Sequence, residues 1–267
     1  MAIGASSACF YPMETKESLE AIGKLDIHTA EIFFNADGEL SEEYLKELNN
    51  VKSFYAVDTP SLHPFTSACE SFFFFSNYKK RFYEMCEYYK KFFSAANEIG
   101  ARYLVIHGAR FPCEVSDEEY FERFAFLIEE GKKFSIDVVQ ENVWSMCGGN
   151  PEFLRRMKAY LGENFKFNFD VKQMKKCGFE LSDFLPEFSS SVVNVHVSDN
   201  KPGETCLPPG TGEFPFENLF EEMKKVNYTG NYIVELYRHN FSSAEDIKKS
   251  CEYLEKKYKL VEKQKIL

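Results

Sequence analysis

Eight short strand-like runs alternate with longer helical patterns along the chain, and this alternation constrains the fold more than any other feature. The runs are Ala2 to Ala5, Thr29 to Phe34, Phe54 to His63 (interrupted by Pro60), Tyr103 to His107, Asp137 to Asn142, Lys166 to Asp170, Val192 to Val197 and Tyr232 to Leu236. Strand and helix in strict alternation predict repeated βα units and a parallel sheet. Between the runs, Phe82, Met85, Cys86, Tyr89, Phe93 and Ala96 recur at helical spacing, and Gly100 follows as a C-terminal cap. Ser116 with Glu119, and Ser242 with Glu245, have the spacing of capping boxes that open helices after the fourth and eighth runs. Asn150-Pro151 reads as an N-cap followed by proline at the first helical position.

Eight βα units in 267 residues fill a (β/α)8 barrel with little left over, so the expected fold is an α/β TIM barrel and a single domain over 1–267. An open doubly wound sheet would normally show a glycine-rich phosphate loop after an early strand. The first βα turn here, Ser6-Ser7-Ala8-Cys9, has none.

A chain of this length buries enough surface to fold without a disulfide or a structural metal, so a bound metal would be functional first. The 32 Lys+Arg against 42 Asp+Glu give a net charge of −10, which disfavours a nucleic-acid binder held by counterion release. The eight cysteines include no CxxC pair and read as thiols of a reducing compartment. The apolar stretch from Met1 to Phe10 lacks a preceding basic segment, and no run reaches the ~18 apolar residues of a membrane span. The expected location is the cytoplasm, with no membrane partner.

Side chains alternate faces along a strand, so parity sorts each run into a helix-facing and a barrel-facing set. Phe165, Phe167 and Phe169 share one face, which leaves Asn168 and Asp170 on the other. Val193, Val195 and Val197 leave Asn194 and His196; Tyr232, Val234 and Leu236 leave Ile233 and Glu235; Leu104 and Ile106 leave His107. Glu141 ends the fifth run, although Gln140 on the opposite face makes that parity less clean, and His63 ends the third. The result is a cluster of His63, His107, Glu141, Asp170, His196 and Glu235 at strand C-termini, the rim where barrels place their chemistry. So many converging ionisable groups are costly to bury unpaired, and a cation relieves that cost. Oxygen ligands with one or two imidazoles suit Mn²⁺, Co²⁺, Zn²⁺ or Mg²⁺.

With these residues placed, the chain resembles the xylose isomerase-like barrel superfamily, which includes sugar and sugar-phosphate isomerases, epimerases and endonuclease IV. The resemblance rests on Ser61-Leu62-His63, Val105-Ile106-His107-Gly108, Gln140-Glu141-Asn142, Phe169-Asp170-Val171, Val195-His196-Val197-Ser198-Asp199, Pro209-Gly210-Thr211-Gly212-Glu213-Phe214 and Ile233-Val234-Glu235-Leu236, in that order. It implies one divalent metal held by Glu141, Asp170, His196 and Glu235. It also implies an isomerase or epimerase acting on a ketose, a sugar phosphate or a related polyol. In that chemistry Glu141 and Glu235 remove and return a proton next to a metal-bound carbonyl. His63 and His107 would then bind substrate hydroxyls or a second metal bridged by Glu141. A dehydratase of the inosose or shikimate type uses the same chemistry, and an endonuclease IV-like phosphodiesterase is a further alternative. The chain departs from the family at Gln173, where histidine is common. It also has no histidine between Asn200 and Gly212, where the nuclease carries a third-metal ligand.

Other features carry weaker signals. Pro208 to Gly212 predicts a rim loop with unusual backbone angles. Gln173 is suited to hydrogen-bonding a sugar, and Trp144 either walls a sugar ring or packs. Lys201, Arg110 and Arg238 follow rim strands and either bind a phosphate or carboxylate or remain solvated. Four aromatics in a row, Phe72 to Phe75, cannot all face one core; they leave room for a pocket wall, a lid or a homo-oligomer contact.

Overall fold

In the computed structural model, which describes residues 2–263, the runs become parallel strands of one closed eight-stranded barrel. Met1 and positions 264–267 of the span assigned above lie outside the described residues. The barrel strands are β1 (Ala2–Ser6), β2 (Thr29–Phe33), β3 (Asp58–His63), β4 (Tyr103–Ile106), β5 (Asp137–Glu141), β6 (Phe167–Asp170), β7 (Val192–Val197) and β10 (Asn231–Val234). Each pairs with the next in sequence, and β10 closes the ring between β7 and β1, which excludes the open sheet. Around them run α1 (Thr15–Lys24), α2 (Glu42–Tyr55), α3 (Glu70–Phe74), α4 (Lys79–Glu98), α5 (Asp117–Lys132), α6 (Pro151–Leu161), α7 (Val171–Lys176), α8 (Leu181–Phe188), α9 (Phe216–Lys225) and α10 (Ala244–Lys263). None of these helices is long and apolar enough to cross a membrane.

Two local expectations need correction. Phe54 and Tyr55 end α2 and do not begin a strand. Ala56 turns left-handed (φ 52°) and lets the Val57 N–H reach back to the Lys52 carbonyl, and Phe54 is left 81% exposed. Pro60, which lacks a ladder donor, sits where the β2–β3 register slips between Thr29 and Glu31, a place a strand proline is tolerated. At α10 the reciprocal cap comes from Asp246, whose carboxylate accepts the Ser242 and Ser243 N–H groups at 2.9 and 3.0 Å, so Glu245 is not the capping partner. By contrast Ser116 and Asn150 cap α5 and α6 by accepting the Glu119 and Glu152 N–H groups.

The helix-facing phenylalanines build the core. Phe167 is fully buried, and its ring lies 6.2 Å from Phe184 and 5.7 Å from Phe188 of α8. Gln140 also faces outward, where its carboxamide oxygen accepts the Tyr120 hydroxyl at 2.7 Å and its NH₂ reaches the carbonyls of Ile106, His107 and Glu141. That placement turns Glu141 inward. Gly108 (φ 87°) is required beside this network, since a Cβ there would lie 2.1 Å from the Tyr120 hydroxyl. Its N–H donates to the buried Glu70 carboxylate at 2.7 Å.

Two short polar strands, β8 (Asp199–Lys201) and β9 (Glu204–Leu207), form an antiparallel hairpin over the rim that the strand patterns did not announce. Asp199 organises the loop that follows by accepting the N–H groups of Gly210, Gly212 and Phe214 at 2.8–2.9 Å. Gly210 has the expected unusual angle (φ 94°). Of the four consecutive aromatics, Phe74 and Phe75 enter the core while Phe72 stays exposed under the Arg81 guanidinium.

Phe167→Ala is expected to destabilise the fold by about 3–5 kcal/mol, read from the urea midpoint. Glu70 gives a pH signature. Burial, the dominant influence, raises its folded-state pKa to about 7, whereas an unfolded glutamate titrates near ~4.3. The folded chain therefore keeps a proton that the unfolded chain has lost, and stability declines as pH rises between those values. Relative to Glu70→Gln, which cannot ionise, the wild type should lose roughly 2–4 kcal/mol between about pH 4.5 and 8. Parallel stability profiles for the two proteins would refute this.

Candidate metal centre

Inward-facing side chains from seven strands meet at the C-terminal end of the barrel. Glu31 comes from β2, His63 from β3, Glu141 from β5, Asp170 from β6 and His196 from β7, while His107 and Glu235 directly follow β4 and β10. The register sets their levels by pairing Asp170 with His196 and Glu141 with Asn168. One donor atom from each of Glu141, Asp170, His196 and Glu235 lies within 4.8 Å of the others, and the same holds for His63, His107 and Glu141. His196 Nδ1 is 3.0 Å from Glu141 Oε1 and 3.6 Å from Asp170 Oδ2 and from Glu235 Oε2. His107 Nε2 lies 3.1 Å from Glu141 Oε2.

Neighbouring backbone fixes the aim of these groups. Asn142 clamps the end of β6, accepting the Asp170 N–H at 2.7 Å and donating to its carbonyl at 2.9 Å. Asp170 Oδ1 then caps α7 by accepting the Gln173 N–H at 2.8 Å, which leaves Oδ2 facing the cluster. Asn168 and Asn194, linked at 2.9 Å, form a polar floor beneath His196.

Charges in the cluster adjust to one another. Burial pushes the Glu141 carboxyl up, but His196 and the hydrogen bond from His107 outweigh it and hold it well below the ordinary carboxylate range. Burial disfavours the His107 and His196 cations, yet the facing carboxylates raise His107 to about 9 and His196 well above the usual value. His63 goes the other way, because burial dominates the pull of Glu31 and Glu141.

The donor set fits a divalent cation on the evidence of its own unmet bonds. Among the described residues, Asp170 Oδ2, Glu31 Oε1 and both ring nitrogens of His63 are buried with no hydrogen-bond partner. Glu31 Oε1 and Asp170 Oδ2 do face charged neighbours, His196 and Lys172, but an unmet buried hydrogen bond costs about 1–3 kcal/mol, and coordination would remove that cost.

Two members of the site escape the sequence reading. Glu31 is fully buried, accepts Ser61 and Asn194 at Oε2 (2.7 and 3.1 Å), and brings Oε1 to 2.9 Å from His196 Nε2. Parity holds its signal: Ala30, Ile32 and Phe34 face the helices and leave a charged residue on the barrel side. Lys172, 3% exposed, places Nζ 2.6 Å from Glu235 and 3.4 Å from Asp170. Nothing in its sequence position marks it.

The softer expectations divide. Gln173 Oε1 accepts the Trp144 N–H at 3.0 Å, which ties the loop after β5 to α7, and the Trp144 ring is 54% exposed on the rim. Lys201 pairs with Glu204 across the hairpin at 3.2 Å. The Arg238 guanidinium lies over the Phe241 ring and donates to the Phe241 carbonyl at 3.1 Å. Among the described residues neither cation pairs with a carboxylate of the cluster, and each engages a local partner.

The family model described as xylose isomerase-like TIM barrel matches residues 19–257. An uncharacterized protein of Methanocaldococcus jannaschii is 24% identical over 283 aligned positions, covering 100% of this chain and 94% of its own. An L-ribulose-5-phosphate 3-epimerase (UlaE) of Shigella flexneri is 35% identical over 65 positions, 24% of this chain and 23% of its own. A D-tagatose 3-epimerase-like protein superimposes with a TM-score of 0.83 at 21% identity, covering 99% of each chain. The IolI protein with a bound zinc atom superimposes at 0.73 with 15% identity, covering 98% of this chain and 96% of its own. With a closed parallel barrel and a family match over most of its length, the chain belongs to the xylose isomerase-like TIM barrel family.

Proposed function

We propose that the protein is a divalent-metal-dependent isomerase or epimerase of a ketose, free or phosphorylated, or of a related polyol. The observation that carries this reading is the convergence of Glu141, Asp170, His196 and Glu235 donor atoms within 4.8 Å at the barrel rim. The relatives named as sugar epimerases, and the zinc atom of IolI, support it. Mn²⁺, Co²⁺, Zn²⁺ and Mg²⁺ all accept this oxygen-rich set with one imidazole. Bound there, such an ion supplies electrostatic stabilisation of the charge that develops on a carbonyl oxygen as the adjacent carbon loses its proton.

The chain's own residues do the rest. Glu141 and Glu235 enter from strands three places apart in the ring, β5 and the end of β10, and both reach the part of the rim where a substrate would sit. One takes the proton and the other returns it, which inverts or relocates the stereocentre. His107 and His196 hold Glu141, and Lys172 holds Glu235, so each carboxylate meets substrate in a fixed orientation. The exposed Trp144 ring at the rim offers an apolar face to the sugar's C–H side. Eight free thiols accord with work in a reducing cytoplasm.

Incubation of the Mn²⁺-loaded protein with a panel of ketoses and ketose phosphates in D₂O should place deuterium on the carbon next to the carbonyl. Glu141→Gln and Glu235→Gln should each lower that exchange by at least about 10³-fold. Exchange retained by both variants, or absent with every panel member, would count against the assignment.

A two-ion arrangement is also favoured by a specific observation, the grouping of His63, His107 and Glu141 donors within 4.8 Å. Metal analysis should then find two ions per chain in the wild type and one in a His63→Ala, His107→Ala double variant. A single ion in both proteins would assign the two histidines to substrate instead.

A further inference from the structure

Lys172 stands out as a buried cation placed among residues read as metal ligands. Its Nζ bears on Glu235 Oε2 (2.6 Å) and Asp170 Oδ2 (3.4 Å), the same two oxygens that approach His196 Nδ1. Among the described residues it is the one lysine or arginine that pairs with any of the four cluster carboxylates. The side chain has little freedom to leave. It rises from the first turn of α7, which Asp170 itself caps, and it is 3% exposed. The Tyr237 ring lies 4.8 Å from its Nζ, and the Tyr237 hydroxyl is held by Lys176 at 3.0 Å.

We propose that Lys172 is a built-in counter-cation of the metal centre, an ammonium that holds Asp170 and Glu235 together in the metal-free protein and competes with a divalent ion for the same oxygens. The proposal rests on the metal-centre reading above. Its physical basis is charge balance. Without an ion, Asp170 and Glu235 would repel each other across a buried gap, and the ammonium offsets that repulsion so that the donors stay in place. With an ion, the same ammonium becomes a fixed positive charge beside a dication, which weakens binding. Lys172 thereby keeps the empty site assembled at the expense of affinity, and makes the metal more readily exchanged.

Removing the charge must therefore move two quantities in opposite directions, which a merely structural lysine would not do. Full-length protein is stripped of metal and titrated with Mn²⁺, free Mn²⁺ being read by electron paramagnetic resonance, for the wild type, Lys172→Met and Lys172→Gln. Both variants should bind Mn²⁺ at least about tenfold more tightly than the wild type. Their metal-free melting temperatures should lie below that of the wild type, and saturating Mn²⁺ should close the gap. Glutamine preserves a hydrogen-bond donor to Glu235 and provides a folded test if methionine does not. Unchanged or weaker Mn²⁺ affinity in the folded variants, beside normal binding by the wild type, overturns this proposal alone. No binding of Mn²⁺, Co²⁺ or Zn²⁺ by any of the three proteins overturns it together with the metal-centre reading.

Discussion

Burial of like charge at one end of the barrel is the constraint around which the rest is arranged. Four carboxylates, Glu31, Glu141, Asp170 and Glu235, share a space with three imidazoles and the Lys172 ammonium, and most are nearly inaccessible to water. An isolated ion in such surroundings costs on the order of tens of kcal/mol, so each group persists only by facing an opposite charge or a hydrogen-bond donor. His196 is the hub of that compensation, with Glu141 at one ring nitrogen and Glu31 at the other. Among the described residues, Asp170 Oδ2, Glu31 Oε1 and the two His63 ring nitrogens lie in this cluster without a hydrogen-bond partner, and a cation would satisfy them, which links the energetics of folding to the chemistry proposed for the site.

The barrel makes this concentration of charge tolerable because it separates two environments within single strands. On β6 the outward Phe167 and Phe169 pack against α8, while the inward Asn168 and Asp170 meet polar neighbours. Gln140 and Glu141, adjacent in sequence, divide in the same way: one braces Tyr120 of α5 and the other enters the mouth. Residues of the neighbouring elements then serve as supports. Asn142 fixes the end of β6, Asp199 gathers three backbone N–H groups of the rim loop, and Glu70 holds the turn after His107. Orientation of the inner groups is thus inherited from rigid strand ends and not from mobile loops, as a preorganised site requires.

Where local pattern and tertiary structure diverge, the reason is physical in each case. Phe54 resembled the start of a strand by composition, but a left-handed residue at Ala56 terminates α2 one position beyond Tyr55, and Phe54 points to solvent. The β8–β9 hairpin is short and polar, with a Pro202-Gly203 turn, so hydrophobic periodicity carries no trace of it. Lys201 and Arg238 follow rim strands in sequence, yet Glu204 and Phe241 engage them locally. Charge near a strand end therefore does not specify direction, because a long flexible side chain goes to its nearest partner.

By itself the sequence determined the barrel and the inward set of His63, His107, Glu141, Asp170, His196 and Glu235, because strand alternation and side-chain parity are properties of consecutive residues. It also held Glu31 in legible form, through the apolar parity of Ala30, Ile32 and Phe34. Only the tertiary structure decided that Lys172, a residue in the first turn of a short helix, bridges Asp170 and Glu235. Only it decided which buried oxygens and nitrogens lack partners. These are distances between groups brought together by barrel closure and strand register, and no local pattern encodes how seven strand ends meet around one axis.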